Sequence, residues 1–75
     1  MRNRQTSLLR IVADNVAGVR QLRGLDQTQL ARLAKVPCGA VRQAERGDPS
    51  LRIHHLLKIS QALGVGLAQL FQEST

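Results

Sequence analysis

Helix breakers fall at short intervals along this chain. Gly24, Pro37, Gly47, Pro49 and the pair Gly64 and Gly66 cut its 75 residues into short pieces. Within each piece apolar residues recur every three or four positions, and none of the pieces alternates as a strand requires. Helices this short must bury their apolar sides against one another to persist. The pattern therefore predicts an all-α fold, a compact five-helix bundle with one modest core.

The first piece reads as a helix from about Ser7 to Arg23, stopped by Gly24. Leu8, Val12, Val16 and Val19 form its stripe, with Leu22 nearby. Residues 1–5 read as a flexible basic arm carrying Arg2 and Arg4, and residues 6–75 as the single domain. In "LDQTQLARLA" Asp26 can accept the N–H groups of a first helical turn, and Gln29 stands where a capping box needs it. Leu30, Leu33 and Ala34 supply the buried side of this second helix. Only "KVP" separates it from a third helix over 37–46. Pro37 suits the first turn, where its missing N–H is no loss, and Gly39 costs about 1 kcal/mol relative to Ala. Gly47 ends that helix and "DPS" turns the chain. Ser50 can cap a fourth helix, about 51–63, that buries Leu56, Ile59 and Leu63. "LAQLF" closes the core with Leu67, Leu70 and Phe71. Two helices in tandem across three residues predict a helix-turn-helix core.

Charge and composition narrow the function. The formal net charge is +6, from 11 Lys and Arg against 5 Asp and Glu. Nine of the cations are Arg, the side chain suited to phosphates and guanine edges, so a polyanion such as nucleic acid is the expected partner. Phe71 is the only aromatic residue, which argues against single-strand binding by base stacking. The lone Cys38 cannot staple its own chain, as suits a reducing, cytoplasmic setting. "MRNRQTSLLRIVADNV" does not read as a secretory signal, and no apolar run approaches the roughly 20 residues that span a bilayer. His54 and His55 are adjacent and point about 100° apart on a helix, a poor chelate. With no Gly-rich phosphate loop and no acid pair in a cleft, the chain offers no catalytic residues. It implies no metal and no cofactor, so it does not read as an enzyme.

On a helical wheel Cys38, Gly39, Arg42, Gln43 and Arg46 fall on one side of the third helix. Ala40, Val41, Ala44 and Glu45 fall on the other. The first side is flat where the helix begins and basic further on, as a helix entering a DNA groove needs. The second is small and apolar except for Glu45. An unpaired carboxylate there would cost several kcal/mol. Arg20 flanks the stripe of the first helix, and we expect it to pair with Glu45, with Arg23 a weaker candidate.

These residues resemble the Cro and phage-repressor type of helix-turn-helix protein, the XRE family. "LDQTQLARLAKVPCGAVRQAERG" is similar to its signature: a Gln opening helix two, Leu-Ala in its middle, Glu-x-Gly closing the recognition helix. "PSLRIHHLLKISQALGVGLAQLF" resembles the two closing helices, and "VRQLRGL" the end of the first. The resemblance covers about residues 16–71 and implies a lambda-repressor-like fold. It also implies a homodimeric, sequence-specific binder of double-stranded DNA, usually a repressor. It places Cys38, Gly39, Arg42 and Gln43 at base edges, and Gln27, Thr28 and Arg46 at phosphates. It makes Arg20 and Glu45 a structural ion pair. Three positions depart from the pattern. Lys35 stands where the turn usually has Gly, Pro37 replaces a Ser or Thr cap, and Cys38 and Gly39 are weak base readers, which shifts selectivity towards Arg42, Gln43 and DNA shape. Antitoxins share this fold and hold a protein partner as well as DNA, and controllers of restriction–modification operons fit equally.

Overall fold

The computed structural model describes residues 4–73. Four α-helices, α1 (Arg4–Leu22), α2 (Gln27–Ala34), α3 (Cys38–Arg46) and α4 (Ile53–Leu63), are followed by a 3-10 helix, Leu67–Phe71. α1 packs against α3 and the 3-10 helix, and α2 packs against α3 and α4. Val16, Leu30, Val41, Ile59, Leu63 and Leu70 are the sealed centre.

All four helices end the same way. The residue after each helix is left-handed or leads into a left-handed residue, and two reverse hydrogen bonds close the last turn. After α2, Lys35 N–H reaches Arg32 O and Val36 N–H reaches Ala31 O. Gly24, Gly47 and Gly64 serve the equivalent turns with φ of +71°, +72° and +76°. These are Schellman-type ends, which favour Gly because it has no Cβ. Lys35 is the exception, at φ 59° and ψ 46°. It accepts the left-handed conformation, and the turn keeps its shape.

Several sequence expectations shift. α1 is already helical at Arg4, the first described residue and earlier than Ser7; the first three residues of the expected arm lie outside the described residues. Leu8, Leu22 and Leu33 are exposed rather than buried. Leu33 lies about 60° outside the arc formed by Leu30, Ala34 and Ala31, and the smaller Ala31 takes its place in the core. Pro37 is the N-cap of α3, one residue before the helix, where its carbonyl accepts the Ala40 N–H at 2.9 Å. Ser50 does not cap α4, which starts at Ile53 behind Arg52 with no side-chain cap. The last helix is 3-10, with Leu70 buried and Phe71 at its rim. Asn15 ties this segment down, donating from Nδ2 to Leu70 O and Gln72 O, both at 2.8 Å. Arg23 likewise donates from Nε to Leu63 O at the end of α4, so it is not the partner of Glu45. Among the described residues no helix is long and apolar enough to cross a membrane.

Candidate nucleic-acid interface

α3 is two-sided, and its two sides are built differently. Ala40, Val41 and Ala44 are buried against α1 and α2. Three small side chains in a row let the helix lie close to its neighbours. The capping box at the start of α2 fixes that neighbour: Asp26 Oδ1 accepts the Gln29 N–H at 2.7 Å, and Gln29 Oε1 accepts the Asp26 N–H at 2.8 Å.

Glu45 leaves the apolar arc through a cation. Arg20 Nε donates to Oε2 at 2.7 Å and Arg20 Nη2 to Oε1 at 3.1 Å, a bidentate pair. Arg20 Nη1 also donates to Leu25 O at 2.7 Å, so the same guanidinium closes the α1–α2 turn. The hydrogen bond to Glu45 raises the Arg20 pKa above its ordinary value. A second donor reaches this carboxylate: Gln27 Nε2 lies 3.0 Å from Glu45 Oε1. Sequence reasoning placed Gln27 at a phosphate and missed this bond, because helical period does not report which way a long side chain turns.

The outward side carries the other expected residues. Gly39, Arg42 and Arg46 are exposed, while Cys38 and Gln43 are half-buried. Gln27, Arg42, Glu45 and Arg46 line one shallow concavity between the start of α2 and α3. Arg42 Nη2 lies 3.4 Å from Cys38 Sγ, and Thr28 Oγ1 lies 3.8 Å from it. The Arg42 contact, then the Thr28 contact, lower the Cys38 pKa. Arg42 makes no ion pair among the described residues.

Arg46 does make one. Its Nη2 donates to Asp48 Oδ2 at 3.0 Å. Asp48 Oδ1 accepts from the Ser50 N–H at 2.9 Å and the Ser50 hydroxyl at 2.7 Å. Those two bonds, then the Arg46 contact, pull the Asp48 pKa down to about 2. Ser50 is no cap for α4 because that helix starts at Ile53, which puts Arg52 at the cap position and Ser50 two residues before it. Asp48 was readable in the sequence, as an acid two residues beyond Arg46 in a tight turn.

His54 and His55 sit with ring centroids 4.3 Å apart on the far side of the turn. His55 Nδ1 is inaccessible and lacks a partner among the described residues, and burial, then the His54, Arg52 and Lys58 charges, lower the His55 pKa. Among the described residues no group of three His, Cys, Asp or Glu is placed to hold a metal.

Residues 17–70 match a family model described as helix-turn-helix. The chain is 28% identical to a hypothetical transcription factor, NHTF, from Neisseria. That match has a TM-score of 0.82 over 92% of this chain and 79% of that one. It is also 28% identical to the restriction-modification controller protein C.AhdI from Aeromonas hydrophila, with a TM-score of 0.75 over 84% of this chain and 96% of that one. An HTH_3 family transcriptional regulator from Vibrio cholerae shares 28% identity at a TM-score of 0.77; there 89% of this chain corresponds to 38% of the regulator. No curated protein matches.

Proposed function

We propose that this chain, which belongs to the helix-turn-helix family of the Cro and phage-repressor type, is a homodimeric repressor that inserts α3 into the major groove of double-stranded DNA. The observation that carries the reading is the two-sidedness of α3. Its small residues are sealed inward, and Gln27, Arg42 and Arg46 converge on one concavity outward. Cys38 and Gly39 let the helix start come close to the groove floor. Arg42 and Gln43, in mid-helix, meet base edges. Arg46, one turn on, meets the groove wall with Gln27 and Thr28 at the start of α2. One hydrogen of the Gln27 amide goes to Glu45, and its second remains for a phosphate.

A single short helix reads only a few base pairs, so affinity calls for two copies about 34 Å apart, one turn of DNA. The C-terminal third supplies the dimer surface. Ile53, Leu57 and Phe71 are exposed there, whereas Leu67 packs against the core. Similarity to a restriction-modification controller supports a regulator of this size acting on an operon.

Selection from random duplex DNA tests the reading. The expected result is a palindromic consensus with half-sites about 10 base pairs apart, centre to centre. Absence of any enriched sequence would contradict it and favour a protein-binding module.

A further inference from the structure

We propose that the turn at residues 48–50 sets the selectivity of α3: Asp48 holds Arg46 in place, and Ser50, anchored on the same carboxylate, steadies Gln43. This rests on the reading of α3 as the helix that meets DNA. Both Asp48 oxygens are committed, Oδ2 to Arg46 and Oδ1 to the N–H and hydroxyl of Ser50. With its proton given to Asp48, the Ser50 hydroxyl offers its lone pairs outward, and Gln43 Nε2 lies 3.4 Å from it. One carboxylate thus orders two side chains of the outward face. The Arg46 side chain stays 64% exposed while that of Asp48 is 24% exposed, so the cation lies over the acid, towards solvent.

The consequence follows from how the two kinds of complex are held. Binding to arbitrary DNA is nearly all cation against phosphate. There an acid beside a phosphate-seeking cation only subtracts, by repelling the backbone and competing for the guanidinium. On the preferred site the helix is seated in one geometry, and side chains already ordered lose less freedom on binding. Ordering therefore offsets part of the repulsion on the operator and none of it elsewhere. The turn weakens indiscriminate binding more than it weakens specific binding.

Asp48→Asn separates these effects. It keeps an oxygen for the Ser50 N–H and removes the charge that holds Arg46. Affinities for the selected operator and for a scrambled duplex, measured across a salt series, give the readout, with a thermal melt of each variant showing that it is folded. We expect Asp48→Asn to bind scrambled DNA roughly two- to tenfold tighter and the operator by a smaller factor. Its plot of log affinity against log salt should steepen by a fraction of one per subunit, the share of the Arg46 charge that Asp48 holds back. Ser50→Ala should relax preference at one base position and leave the salt slope unchanged. In an Arg46→Ala background Asp48→Asn should no longer change the slope. A folded Asp48→Asn that shifts both duplexes by the same factor, or neither, overturns the role of the turn while leaving α3 as the DNA reader. A wild-type chain that prefers no duplex removes both readings.

Discussion

Two ion pairs meet the last turn of α3, one on each side. Arg20–Glu45 faces inward, is bidentate, and leaves 13% and 9% of its side chains exposed. Arg46–Asp48 faces outward through a single bond, with 64% and 24% exposed. The charges are alike, and solvent makes the difference. An ion stranded inside pays its desolvation alone, whereas an ion stranded at the surface is rehydrated and screened. The inner pair belongs to the fold. The outer pair contributes little to the fold and can exchange its partner for another anion.

The largest effect should come from breaking the inner pair. Glu45→Ala should lower the unfolding free energy by about 2–4 kcal/mol, since it strands Arg20 and frees Gln27. Glu45→Gln should cost less, because its amide oxygen can still accept from Arg20. Arg20→Met with Glu45→Leu together should cost less than the worse single change. Thermal and denaturant melts of these variants, with Arg20→Met and Glu45→Leu alone, measure this; small additive effects would erase the distinction between the pairs.

Lys35→Gly is a control on charge, because it removes a cation that has no ion-pair partner among the described residues. It also relieves a left-handed residue at φ 59°. Stability should rise by about 1 kcal/mol, read as a higher Tm. A fall would mean that the Lys35 side chain supports the α2–α3 turn.

The smallest effect should come from the outer pair. Asp48→Asn should barely move Tm near neutral pH. Because the folded-state pKa of Asp48 lies at about 2, below its ordinary 3.8, its contribution is present above the ordinary value. It is lost as pH falls from there through about 2. The difference between wild type and Asp48→Asn should therefore shrink across that window in an acid titration of Tm. A difference that persists at the acid end would tie the stability change to shape rather than charge.

Much of α3 was legible in the sequence, for a simple reason. Ala40, Val41 and Ala44 fall on one arc, and a carboxylate within that arc leaves a nearby Arg as the cheapest solution; Arg20 is that residue in the structure. The Asp26–Gln29 box was legible too, because capping is local chemistry with a fixed spacing. What escaped the sequence depended on competition between partners. Ser50 stands in a turn held by Asp48, and α4 starts at Ile53, too late for Ser50 to cap it. Gln27 could have pointed wholly to solvent, yet its amide donates to Glu45. Leu33 is apolar enough for the core, but an eight-residue helix has only one buried arc and Ala31 fills it.

On the proposed reading, the outward side of α3 reads DNA while its inward side holds the fold. The most direct test is the affinity of Arg42→Ala and Arg46→Ala for the selected operator and a scrambled duplex across a salt series. Arg42→Ala should cost about 1–3 kcal/mol on the operator and relax preference at one base position. Arg46→Ala should weaken both duplexes and lower the salt slope by about one per subunit. If both variants remain folded and bind either duplex as wild type does, α3 is not the reading helix.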